Sequence, residues 1–319
     1  MIGVTLGDPA GVGPEVVAKS LPHLRGHKLV LIGNEDNFRR VLTQLRLEEK
    51  NIPRYTMVDI PGEDVSYGLV QKEAGRIAVK SIERAVDLAM TDEVESLVTA
   101  PINKEAIIMA GSKYIDHTTM LSGLTGSKQN FTVFETDALR IFFMTKHVSL
   151  ADACRQITRR RVLSSILEAD ECLGLLGVKR RRIAVAALNP HAGEGGLFGR
   201  EEIDAISPAI REAQKKLDVS GPHPADSVFH RAAEGAFDIV IALYHDQGHI
   251  AAKTLDFHRT VSLNLGLPFL RTSVDHGTAF DIAGKGIANP VSMVEAIKKA
   301  AKYGNGYRER YRRLRLRLR

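Results

Sequence analysis

Three histidines stand a few residues beyond apolar, strand-like runs: His147 after Ala138–Met144, His191 after Arg181–Ala187 and His245 after Asp238–Leu243. Imidazoles on converging loops can bind Zn²⁺ or a similar divalent ion and leave coordination positions open for a substrate. The chain holds eleven histidines, and a single loop histidine more often serves as a surface or hydrogen-bonding residue, so spacing alone leaves both uses open. Lys253, eight residues after His245, and Arg271 could hold a phosphate, the arginine by a planar fork and the lysine as a point charge. Surface ion pairing is the competing use of both. Asp246 and Asp226 could orient an imidazole or accept a proton, and could equally be turn and helix-cap residues. His117 and Thr118 form a donor pair suited to a polar substrate, unless Thr118 caps a helix. The stretch LNPHAGEGG (188–196), with Asn189, Gly193 and Gly195, offers backbone N–H groups that can approach a pyrophosphate. No G-x-G-x-x-G is present: the three nearest spacings fail at Val16, Phe198 and Asn289. A dinucleotide would therefore not be held in the Rossmann manner.

These clusters need strands to deliver them. Ile2–Thr5, Leu29–Ile32, Glu95–Thr99, Arg181–Ala187, Asp238–Leu243 and Thr260–Leu263 read as strands, while Leu69–Met90, Arg159–Leu175, Glu201–Leu217 and Pro290–Lys302 have apolar residues at helical spacing. Their alternation is the α/β pattern, and the polar clusters fall just after the strands, where open α/β sheets place ligands. Gly221-Pro222 and Pro224-Ala-Asp226 read as a turn. A chain of 319 residues has room for two domains, and no apolar run reaches the ~20 residues of a membrane helix. Its start enters a strand pattern directly, which predicts a cytoplasmic protein without a membrane partner. Cys154 and Cys172 make no paired framework and are expected to be free thiols. Seven arginines against one glutamate between Arg308 and Arg319 equal the whole net charge of +6. This tail is expected to be a solvated or frayed end, and it lacks the aromatic platforms of a specific nucleic-acid surface.

The stretch DHGTAFDIAGKGIANP (275–290) resembles the adenosine-binding loop of isocitrate and isopropylmalate dehydrogenases. With GDPAGVGPE (7–15), TAPINKEA (99–106), DHTTM (116–120), LNPHAGEGG, GPHPADSVF (221–229), YHDQGH (244–249) and LGLPFLRTSVDHGTA (265–279), the chain is similar almost end to end to the 4-hydroxythreonine-4-phosphate dehydrogenase family. The resemblance implies two α/β/α lobes like those of isocitrate and isopropylmalate dehydrogenase, with a discontinuous boundary: 1–122 plus 264–319, and 123–263. It implies NAD-dependent oxidation, with decarboxylation, of a phosphorylated four-carbon hydroxy acid at a homodimer cleft, assisted by one divalent ion (Zn, Mg, Co or Mn). His147, His191 and His245 would be the ligands. His117 and Thr118 would touch substrate, with Lys253 and Arg271 near its phosphate or carboxylate, and Asp246, Lys253 and Asp226 would serve the chemistry. Asp275, His276, Gly277 and Thr278 would meet the cofactor. LDFHRTVS (255–262) resembles the branch that oxidises D-threonate or D-erythronate 4-phosphate more than the pyridoxal phosphate biosynthetic enzyme, and Ser262 stands where the latter usually has asparagine.

Overall fold

The structure, a computed structural model, describes residues 1–317. Among them run eleven strands in chain order: β1 Ile2–Thr5, β2 Leu29–Gly33, β3 Tyr55–Asp59, β4 Ser96–Thr99, β5 Phe131–Glu135, β6 Arg140–Phe143, β7 Ile183–Ala186, β8 Val219–His223, β9 Ile239–Ala242, β10 Val261–Leu265 and β11 Leu270–Ser273. Chain contacts divide the molecule into two units, Met1–Asn130 with Val261 onward, and Phe131–Thr260.

In the first unit the strand order is β3-β2-β1-β4-β11-β10. Every neighbour is parallel except β10, which turns back antiparallel on β11 with Asn264 opposite Arg271. β1 and β4 are buried along their whole length, because helices cover both faces of a parallel sheet and leave no place for alternating polar residues. The helix Lys72–Met90 buries Ala74, Ile77, Ala78, Ile82, Ala85, Val86 and Ala89, one apolar stripe at helical spacing. Its Gly75 lies so close to the Ala106 carbonyl that a Cβ there would sit 1.9 Å from that oxygen, so only glycine permits the helix crossing.

In the second unit the order is β5-β6-β9-β7-β8, parallel apart from the β5–β6 pair. Its core joins Phe134, Ile141, Phe143, Ala184, Val228 and Val240. The Gly221-Pro222 stretch, expected to be a turn, is instead the body of β8; Gly221 takes φ 132° there, and the register slips against β7. Proline donates no ladder hydrogen bond, and β8 at the end of its unit's strand order tolerates that.

The basic C-terminal stretch departs most from expectation. Tyr307–Arg317 is a helix whose Tyr307 is fully buried, its hydroxyl accepting from Gly266 N–H (3.0 Å) and donating to the Leu267 carbonyl (3.3 Å). Arg308 pairs with Asp92 and donates to the Ala89 and Val94 carbonyls, while Arg315 reaches Gln129 and the Gly266 carbonyl. Arginine stems carry apolar length, so a charge-dense segment can still dock. Leu318 and Arg319, also part of the expected frayed tail, lie outside the described residues. Tyr307→Phe is expected to cost about 1–3 kcal/mol in urea unfolding, because it strips a buried N–H of its acceptor; an unchanged midpoint would remove this anchoring role. Both cysteines are free, and among the described residues no helix is long and apolar enough to cross a membrane.

Candidate active site

In the first unit, the tight turn after β10 brings Arg271 of β11 across from Asn264. The guanidinium is 7% exposed; its Nε and Nη2 donate to Thr99 Oγ1 (2.9 and 2.6 Å) and its Nη1 donates to Asn264 Oδ1. No carboxylate hydrogen-bonds or ion-pairs with it among the described residues; Asp116 acts on it only through space, favouring its charged form. Burial pulls its pKa down to about 10, which still leaves it charged at neutral pH. A desolvated cation held by neutral oxygens is the electrostatic demand that an anionic ligand satisfies.

Asn264 in turn donates through Nδ2 to Asn130 Oδ1 (2.9 Å), and Asn130 donates to the Thr118 carbonyl (3.3 Å) and Ser122 Oγ (3.1 Å). That chain of bonds reaches the helix His117–Thr125. Its N-cap is Asp116, in a capping box with Thr119, and not Thr118. His117 is the first helical residue. Its Nε2 is buried without a hydrogen-bond partner, and burial, then the charge of Arg271, hold its pKa well below the usual imidazole range. The ring is neutral and presents an unused nitrogen. Ser262 is buried opposite Ser273, two residues from the asparagine that meets Arg271.

The loop after β11 is docked by the first loop of the chain. Val12 N–H donates to the Thr278 carbonyl, and Gly11 lies against Thr278 so closely that a Cβ would stand 2.9 Å from it. Glu15 accepts from Gly286 and Ala288 N–H while Lys19 donates to both of their carbonyls. GDPAGVGPE thus fastens the 275–290 loop, leaving His276 and Gly277 exposed and Asp275 and Thr278 half-buried. Asp8 sits beneath, fully buried; Oδ1 accepts from Ala10 N–H, Oδ2 has no partner, and burial pushes its pKa up to about 6.

In the second unit, His147 and His245 lie with ring centroids 5.8 Å apart and line a cavity of about 390 Å³ with Lys146, Tyr244 and Asp246. His245 opens the helix His245–Leu255, its Nδ1 bonded to Asp246 Oδ1 at 2.6 Å, which leaves Nε2 without a hydrogen bond among the described residues. His249, one turn on, stacks on His245 at 3.7 Å and sits against Phe134 and Phe143. His191 has the same carboxylate contact, Nδ1 to Glu194 at 2.7 Å, on a loop where residues 191–195 all take left-handed φ. Carboxylate-tethered imidazoles with a free Nε2 have the donor chemistry of metal ligands. Among the described residues, however, no three histidine, cysteine or acidic side chains gather closely enough to hold an ion. His147 and His245 come together; His191 is not gathered with them.

The remaining expected site residues have the following surroundings. Asn189 donates to both Glu201 and Glu202, and Glu202 also takes the N–H groups of Leu188 and Asn189, so this part of the loop faces carboxylates, an environment hostile to pyrophosphate. Gly193 and Gly195 serve the left-handed path, Gly193 beside the Glu202 carboxylate. Asp226 is exposed in the first turn of the helix Ala225–Ala233, lining a separate cavity with Phe229, His230, Ile250 and Thr254, and hydrogen-bonds no imidazole. Lys253 follows His245 and His249 along one stripe of its helix, with Nζ 5.6 Å from the Phe257 ring centre. Thr99, Asn130 and Asn264 were not anticipated; symmetry about the Gly266–Phe269 turn, which sets 264 against 271, was the signal for the last of them.

A protein of Symbiobacterium thermophilum described as "Putative D-threonate 4-phosphate dehydrogenase" is 50% identical over 97% of this chain and 98% of its own length. A Halalkalibacterium halodurans protein with the same description is 49% identical over 95% and 96%. The crystal structure of 4-hydroxythreonine-4-phosphate dehydrogenase from Klebsiella pneumoniae superposes with a TM-score of 0.86 at 41% identity, covering 95% of this chain and 99% of that one. The family model for pyridoxal phosphate biosynthetic protein PdxA matches residues 15–300, and with nearly full-length relatives at half identity the chain belongs to the PdxA family.

Proposed function

We propose that the protein is an NAD-dependent, divalent-metal-assisted dehydrogenase that oxidises and decarboxylates D-threonate or D-erythronate 4-phosphate. The observation that carries this reading is the Arg271 guanidinium, buried and charged without a carboxylate in direct ion-pair contact, in the same unit as the neutral His117 with its unused Nε2. Such a cation suits a phosphorylated hydroxy acid, and relatives at half identity are described as acting on D-threonate 4-phosphate. Lys253 is the second cation of this reading, and Thr118 lies beside His117. Asp246 lies within hydrogen-bond distance of His245 Nδ1 and can accept the substrate hydroxyl proton. His147, His191 and His245 would hold the ion, whose charge would lower the pKa of the carbinol and stabilise the enolate left by loss of CO₂. NAD would take the hydride, with Asp275, His276, Gly277 and Thr278 at its adenosine half. A homodimer belongs to the same reading, since Ile250, Leu255 and Phe257 leave apolar surface exposed on the second unit.

NAD reduction measured side by side with D-threonate, D-erythronate and 4-hydroxythreonine 4-phosphates tests the assignment. kcat/KM is expected to be higher for the two sugar acids, and Ser262→Asn is expected to narrow the gap, because serine offers a hydroxyl where asparagine would offer a directed N–H. Preference of the wild-type protein for the amino substrate would transfer the assignment to pyridoxal phosphate biosynthesis.

A further inference from the structure

Arg271 is held in a way that exposes a dependence on Asn264. A guanidinium has five N–H donors. Thr99 Oγ1 receives one each from Nε and Nη2, and Asn264 Oδ1 receives one from Nη1, so one donor on Nη1 and one on Nη2 remain for a ligand. The direction in which they point depends on the Asn264 carboxamide, which is 2% exposed. An amide can present either end, and turned over it would set an N–H₂ group against the guanidinium. Asn130 prevents this: its Oδ1 takes Asn264 Nδ2, and its own Nδ2 is tied to the Thr118 carbonyl and Ser122 Oγ. The orientation of Arg271 is thereby locked to the helix that begins with His117. Asparagine here also keeps the cation unneutralised, as an aspartate of nearly the same shape would not.

We propose that Asn264 is a positioning residue for anion recognition: held by Asn130, it aims the two remaining N–H donors of Arg271 at the anionic end of the substrate without cancelling the charge. This rests on the reading of Arg271 as a substrate-binding cation. Asn264→Asp keeps the shape, adds a negative charge beside Arg271 and removes the Nδ2 donor that Asn130 Oδ1 accepts. The carboxylate would form a buried ion pair with Arg271 and remove the charge assistance of its bonds to substrate, worth about 1.5–3 kcal/mol. The expected result is a KM for D-threonate 4-phosphate raised roughly ten- to hundredfold, with kcat within about threefold. Asn130→Ala, which removes one hold on the amide, is expected to raise KM in the same direction by less. An unchanged KM in Asn264→Asp, or a loss confined to kcat, would overturn the proposal. A wild-type protein that turns over none of the three phosphorylated acids would refute the function reading instead. Inorganic phosphate then serves as the probe: stabilisation of wild type but not of Asn264→Asp against thermal unfolding supports the positioning role, and equal stabilisation of both, or of neither, overturns it.

Discussion

Arg271→Lys is expected to lower kcat/KM by roughly thirty- to several-thousandfold, equivalent to the about 2–5 kcal/mol typical when one member of a buried, hydrogen-bonded charge pair is lost. The size follows from geometry and not from charge, which lysine keeps. Thr99 takes Nε and Nη2 along one edge of the guanidinium, and Asn264 takes Nη1. A single ammonium cannot serve both oxygens and still present two parallel donors, and its compact, strongly hydrated charge resists the burial that Arg271 accepts. The loss should fall mainly in KM. Substrate titrations of the variant, with unfolding monitored in parallel, check this; kinetics within threefold of wild type would mean that Arg271 is a structural cation.

The second large effect is expected at His245. His245→Ala should abolish stoichiometric metal binding and lower kcat/KM by more than roughly a hundredfold, since loss of even an outer partner of a ligating histidine costs up to that much. The side chain caps no helix and fills no core. It lines a cavity and is part exposed, so the second unit should keep its far-UV signature. Equilibrium dialysis against Zn²⁺ or Mn²⁺ gives a readout independent of turnover. His147→Ala should behave alike, and His191→Ala as well if the 191–195 loop delivers its imidazole when the ion binds. Retained metal with near-normal turnover in any of the three would end that residue's role as a ligand.

Much of the framework was legible because physics writes it strongly. β1, β4 and β9 are buried on both faces, so their sequences are unbroken apolar or small runs. β3 was not legible: Tyr55–Asp59 is only half-buried and carries too weak a pattern. β8 was hidden by its Gly-Pro pair, which reads as a turn anywhere but at an edge. Histidines after strands pointed to a site, yet the positions of the rings did not follow from their spacing. Three of the five left-handed residues at 191–195 are not glycine, and no local rule places His191, Ala192 and Glu194 in that conformation. The C-terminal helix is hidden by its charge density, which reads as solvation, while one aromatic ring and the aliphatic stems of arginine supply its contacts. Asn264 carries no signal that sets it apart from the serine two residues earlier, since a shift of two keeps the same face of a strand.

The discontinuity of the first unit has a consequence for the order in which the protein is made. β4 pairs on one side with β1 and on the other with β11, Ser96 against Leu270, a partner separated from it by the entire second unit. As the chain leaves the ribosome, the edge of β4 stays unsatisfied while residues 131–260 emerge, and those residues hold all the contacts of their own core. The inserted unit can therefore condense first, with the earlier half waiting as an incomplete sheet whose open edge invites pairing with another nascent chain. Completion arrives late, when β10 and β11 add to the sheet and Tyr307 closes over the turn between them. Ribosomes stalled between residues 130 and 260 would thus display the half most in need of a chaperone.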